Sequence, residues 1–166
     1  MSKIEDKLSK IRYNKCLSVK NITLIFAKKL KRTMTMLQNQ IQEAEKYLQN
    51  AREILSEKAG KQGSYYTDKK YVKMAGNTAW NGVLVALDAA LGTRKNLKKS
   101  QRLDFIDYQK ALVSKAPKMN YILMTAYDML HKSLGYDGVL SYKTVQDGLK
   151  QGKLLIDWAA KQDIVK

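Results

Sequence analysis

Apolar positions fall at helical spacing along most of this chain, and the pattern is densest in TDKKYVKMAGNTAWNGVLVALDAALG, residues 67–92. Val72, Ala75, Ala79, Val83, Ala86, Leu87 and Ala90 recur at steps of three and four, so they share one side of a helix. Thr67 is the expected N-cap, Asp68 adds a carboxylate to the positively polarised first turn, and Gly92 can take the left-handed backbone that closes a helix. Ala75, Gly76, Ala79, Gly82, Ala86, Ala89 and Ala90 make this side small. Neighbouring helices can approach it closely, which predicts a central position. Asn77, Trp80, Asn81 and Asp88 interrupt the apolar run with hydrogen-bonding groups.

The other elements follow from the same periodicity. Leu37, Ile41, Ala44, Leu48, Ala51 and Leu55 alternate steps of four and three, which predicts a helix ending near Ala59 and Gly60. Tyr65 and Tyr66 then fall in a loop, where they either cover the end of the helical assembly or stack on a ligand. Ser100 is the expected cap of a shorter helix over 101–115, with Leu103, Phe105, Ile106, Tyr108 and Leu112 on its apolar side. Pro117 suits the first turn of the next helix, which turns Met119, Ile122, Leu123, Ala126, Met129, Leu130 and Leu134 inward and stops at Gly135. Ser141 caps the last, whose stripe is Val145, Leu149, Gly152, Ile156 and Ala159, widened by Leu155 and Trp158. The expectation is an all-α fold: an antiparallel, up-and-down four-helix bundle with one additional short helix.

Composition narrows the class. At 166 residues the chain suits one domain with a single core. Cys16 is the only cysteine, which excludes an intramolecular disulfide and a cysteine-rich zinc site and leaves an inert thiol as the default. The longest apolar run near the start, Ile22 to Ala27, is too short for a signal-peptide core or a membrane span. A cytoplasmic protein without a membrane partner is expected.

The net charge of +16 is unevenly spread. Residues 1–35 carry ten Lys/Arg against Glu5 and Asp6, so half of the excess sits in about a fifth of the length. Lys7 to Ile11 and Ile22 to Leu30 can each form a few helical turns there. The segment is expected to be a basic extension before a helical domain over 36–166. Three readings stay open for it: a solubilising tail, residues upstream of a start at Met34 or Met36, or an arm that grips phosphates. A nucleic-acid surface would use Lys28, Lys29, Lys31 and Arg32, then Lys69, Lys70 and Lys73, then Arg94, Lys95, Lys98 and Lys99.

Familiar catalytic constellations are missing. His131 is the only histidine, so a two-histidine metal site and Glu-x-x-His pairs are excluded, and a Ser-His-Asp triad would have to use that one ring. The GxxxxGK[ST] phosphate loop is absent. Asp128 and His131 lie three apart on a helix and can touch, although a surface contact at a helix end explains His131 as well. Asp104 and Asp107 fit a solvated helix face better than acid/base work. No cofactor and no metal are expected.

AEKYLQNAREILSEKA, then KMAGNTAWNGVLVALDAAL, then AYDMLHKSLGYDG and a last helix ending LLIDWAAK together resemble the HEPN superfamily of small four-helix bundles, over about residues 37–160. Families of that superfamily include ribonuclease toxins, partners of nucleotidyltransferases and plain binding modules. The ribonucleases carry an arginine and a histidine with four to six residues between them. Here Met124, Thr125 and Ala126 stand where that arginine would lie, and no arginine follows Arg102. Without the guanidinium, RNA cleavage loses its charge stabilisation, so the resemblance implies a non-catalytic member. It also implies a polar cleft between helices, around Asn77, Trp80, Asn81, Asp88, Tyr127, Asp128, His131 and Tyr136. The leading functional reading is a binding or interaction module that forms a homodimer or takes a protein partner. An RNA- or DNA-binding protein and an enzyme built on Asp128 and His131 are the alternatives.

Overall fold

A computed structural model describes residues 2–92 and 103–162, with side chains from residue 24 onward. The chain divides into two compact units, Met1–Met36 and Leu37–Lys166. In the first, the described backbone is helical, as part of α1 (Ser2–Glu57). The short turns expected there are one continuous helix, because no glycine or proline interrupts the chain before Gly60. Leu24, Ile25 and Phe26 are exposed, as are Lys28, Lys29, Lys31 and Arg32.

In the second unit, the remainder of α1 is followed by a two-residue hairpin, β1 (Lys61–Gln62) and β2 (Tyr65–Tyr66). Next come α2 (Lys69–Leu91), α3 (Phe105–Lys115), α4 (Pro117–Ala126), a π-helical continuation over Tyr127–Asp137, and α5 (Tyr142–Ala160). The described residues are predominantly helical, as the periodicity predicts. The core is built from the predicted stripes. Ile41, Ala44, Leu48, Ala51 and Leu55 of α1 meet Val72, Ala75, Ala79, Val83, Ala86 and Leu87 of α2 and Val145, Leu149, Ile156 and Ala159 of α5. Each fully buried leucine, such as Leu87 or Leu130, contributes about 1.5–3 kcal/mol.

The small side of α2 is where its neighbours come closest. A Cβ on Gly82 would lie 2.8 Å from the Ala44 carbonyl oxygen of α1. One on Gly76 would lie 2.7 Å from the Gly135 nitrogen and 2.8 Å from the Leu130 carbonyl oxygen in the π segment. The central position expected of this helix follows from those approaches.

Several element ends differ from expectation. The N-cap of α2 is Asp68, whose carboxylate accepts the Lys70 N–H at 2.8 Å. Thr67 is spent on the turn that follows α1, its hydroxyl donating to the Ala59 carbonyl at 3.2 Å. Tyr65 and Tyr66 form a strand, paired antiparallel with Lys61–Gln62, and on its other side the Tyr66 N–H donates to the Leu140 carbonyl at 2.8 Å and the Tyr142 N–H to that of Ser64 at 2.9 Å. The helix opened by Pro117 does not stop at Gly135. Gly135 keeps a negative φ, and the left-handed residue is Gly138, at φ 66°. Helix α3 starts at Phe105, with the Asp107 carboxylate accepting the Asp104 N–H at 3.0 Å, so these acids cap a helix. Ser100 lies outside the described residues. Ile106 is exposed instead of joining the core with Tyr108 and Leu112. Gly92 and Ser141 close and cap their helices as expected.

Candidate functional site

The π-helical segment carries Tyr127, Asp128, His131 and Tyr136. Such i→i+5 segments are rare and recur at functional sites. Here the wider turn brings Tyr127 against both the fourth and the fifth residue after it. Its ring stacks on His131 with centroids 5.1 Å apart, and the Lys132 ammonium lies 5.0 Å from its centre. Trp80 of α2 completes the group at 5.4 Å from Tyr127 and 5.9 Å from His131, and Phe105 of α3 stacks on Tyr127 at 4.1 Å. Three of the candidate residues, Trp80, Tyr127 and His131, are therefore one aromatic cluster. His131 Nδ1 is buried there without a hydrogen-bond partner among the described residues.

The other candidates are engaged elsewhere. Asp88 is buried and accepts the Tyr108 hydroxyl at 2.8 Å. Asp128 pairs with Lys132 at 2.8 Å on the surface rather than with His131, and that hydrogen bond holds the lysine above its ordinary range. Asn77 is exposed, and its amide donates to the carbonyls of Lys73 at 3.1 Å and Gly135 at 3.2 Å. The second bond satisfies a carbonyl in the last turn of the π segment, where the helix supplies few partners. Asn81 and Tyr136 are exposed.

The basic candidates divide in a similar way. Lys69 and Lys73 converge on Gly138, where a Cβ would meet Lys69 Cγ at 2.6 Å and Lys73 Cε at 3.0 Å. That places two cations at the C-terminal end of the π segment, the negatively polarised end of a helix. Lys70 lies 5.6 Å from the centre of the Tyr71 ring. Arg94, Lys95, Lys98 and Lys99 lie outside the described residues.

A second site leaves little mark in the sequence. Arg52, Leu55, Ser56 and Gly60 at the end of α1, Lys61 and Tyr66 of the hairpin, and Tyr142, Gln146 and Leu149 of α5 line a cavity of about 370 Å³. Lys61 Nζ stands 3.7 Å from the centre of the Tyr142 ring, and the Tyr66 and Tyr142 rings are 5.8 Å apart. The Gln146 amide donates to the Tyr66 hydroxyl at 3.4 Å. Burial pushes the Tyr66 phenol up from its ordinary value. The paired tyrosines were the one signal of this site in the sequence; the lining from α1 and α5 comes from the fold.

Residues 39–161 match a family described as a domain of unknown function, DUF5618. The chain belongs to that family. A solved structure of a protein of unknown function from Dyadobacter fermentans is 37% identical to it, with a TM-score of 0.68, over 75% of this chain and 96% of that one. No curated protein matches. The aromatic cluster and the hairpin cavity both fall inside the DUF5618 span, whereas Lys28, Lys29, Lys31 and Arg32 precede it. Among the described residues no group of three or more His, Cys, Asp or Glu is placed to hold a metal ion. No helix among them is long and apolar enough to cross a membrane.

Proposed function

We propose that this DUF5618 protein is a non-catalytic binding and interaction module, an up-and-down four-helix bundle of the HEPN-like type that pairs with a second copy of itself. The observation that carries this reading is the outer face of α3 and α4. Ile106 and Val113 are seven residues apart on α3 and 57% and 56% exposed. Tyr121 and Met124 are one turn apart on α4 and 74% and 45% exposed. Large apolar side chains exposed on two successive helices support an interaction surface there.

Charge favours a second copy as the occupant. Residues 103–126 hold Asp104 and Asp107 against Lys110, Lys115 and Lys118, so this stretch is nearly neutral in a chain of +16. Two copies can meet there without the repulsion that the rest of the charge imposes, and a two-fold axis lets the acids of one face the lysines of the other. The absence of catalysis rests on the engaged acids, Asp88 with Tyr108 and Asp128 with Lys132, and on Met124, Thr125 and Ala126 in place of an arginine. His131, stacked on Tyr127 and beside Trp80, lends its ring to the aromatic wall of the cleft in this reading.

Sedimentation velocity and native mass spectrometry of the full chain test the proposal. A dimer is expected, converted to a folded monomer by Val113→Lys combined with Met124→Lys. A parent chain that stays monomeric at the highest attainable concentration overturns it, as does a dimer that survives both substitutions.

A further inference from the structure

We infer that the cavity under the β-hairpin binds a small aromatic anion, a single ring bearing a carboxylate or a phosphate. Its polar lining residues are Arg52, Ser56, Lys61, Tyr66, Tyr142 and Gln146, and no aspartate or glutamate is among the lining residues. Arg52 makes no ion pair among the described residues, so its planar fork is available to a two-oxygen anion. Lys61, placed over the Tyr142 ring, adds a second positive charge on the hairpin side. A cationic ligand would meet both charges with nothing to offset them.

The remaining surface selects the body of the ligand. Leu55 and Leu149 supply aliphatic walls, and the rings of Tyr66 and Tyr142 supply flat ones. At about 370 Å³ the cavity lies near the lower end of ligand sites, which span about 300–1,000 Å³. One ring with one acidic group suits it; a dinucleotide does not. The walls are fixed before any ligand arrives, because the hairpin is tied to the start of α5 by backbone hydrogen bonds at Tyr66 and Tyr142. The Tyr66 phenol is protonated at neutral pH like any tyrosine, and burial only pushes its ionisation further up, so its hydroxyl can donate to an anion. This site is separate from the outer face of α3 and α4, and neither depends on the other.

The test is a titration of the full chain with benzoate, phenyl phosphate, benzylamine and inorganic phosphate, followed through the Tyr66 and Tyr142 ring resonances and the Gln146 side-chain amide. Saturable shifts are expected from benzoate, from phenyl phosphate or from both, and which of the two binds more tightly assigns the acidic group. Arg52→Gln is expected to weaken binding by about tenfold, the scale of one charge-assisted hydrogen bond, and Lys61→Gln by less. Arg52 and Lys61 are both exposed, so neither substitution disturbs the core. The inference is overturned if neither aromatic anion shifts these resonances, or if benzylamine shifts them equally. Inorganic phosphate binding as tightly as phenyl phosphate, or unchanged affinity in Arg52→Gln, overturns it as well.

Discussion

The Tyr108 hydroxyl donates to the Asp88 carboxylate at 2.8 Å, and this buried contact joins α3 to the central helix α2. A carboxylate removed from water is tolerated only when donors replace the lost solvation. Tyr108→Phe keeps the ring in the core and deletes one such donor. The expected cost is about 1.5–3 kcal/mol, the range for a hydrogen bond to a charged group. Urea unfolding measures it, and a loss below about 0.5 kcal/mol, the scatter of ordinary surface substitutions, would refute the assignment.

Gly76 and Gly82 should behave against helix propensity. Alanine in a helix interior is favoured over glycine by about 0.8–1 kcal/mol. At these two positions, however, a methyl group meets the backbone of a neighbouring helix under 3 Å away, at Gly135 and Leu130 for Gly76 and at Ala44 for Gly82. Backbone cannot swing aside as a side-chain tip can, so overpacking at about 1–3 kcal/mol wins. Gly76→Ala and Gly82→Ala should each lower the melting temperature. Asn81→Ala, on the exposed part of the same helix, should leave it nearly unchanged.

Which parts of this arrangement the sequence made readable depends on whether the signal was periodic. The α1 and α5 stripes are legible because four-three spacing of Leu48, Ala51 and Leu55, or of Val145, Leu149, Gly152 and Ile156, maps directly onto a buried helical face. The π segment is not, because a widened turn leaves no compositional mark. Gly135 reads as a terminator until its close approach to Gly76 is known. Asp128 has His131 and Lys132 within one turn, and spacing alone did not favour the lysine. Trp80, Tyr127 and His131 each stand out in the sequence, but Phe105 reads as part of the apolar side of α3, and only the tertiary fold puts it on Tyr127. Arg52 carries no mark in the sequence, because an arginine on a polar helix face has a solvated role by default and the hairpin that makes it a cavity wall comes later in the chain.

His131 contributes its ring and not its polarity. Nδ1 is buried with no partner among the described residues, while the ring packs on Tyr127 and Trp80. An unsatisfied buried polar atom costs about 1–3 kcal/mol, and replacement by an apolar group of similar shape removes that cost. His131→Phe should therefore be neutral or stabilising by up to about 1 kcal/mol, whereas His131→Ala should destabilise by loss of the stack. Paired thermal melts decide it: a Phe variant as damaged as the Ala variant would mean that the imidazole nitrogens are needed.

Tyr66 makes stability depend on pH at the alkaline end. In the unfolded chain its phenol ionises near pH 10. In the folded chain burial raises that value, with a smaller opposing effect from the Gln146 hydrogen bond. Below about pH 10 both states keep the proton and the contribution of Tyr66 is fully present. As pH rises from there towards the folded value, the unfolded chain ionises first and is favoured, so stability falls. Tyr66→Phe has no proton to lose at this position and should lack that part of the decline, while other tyrosines and lysines titrate alike in both proteins. Urea midpoints of parent and variant should differ by a constant amount between about pH 7 and 9, with the parent losing ground above pH 10. A difference that stays flat through about pH 11 would show that the folded protein does not hold the Tyr66 proton more tightly than the unfolded chain does.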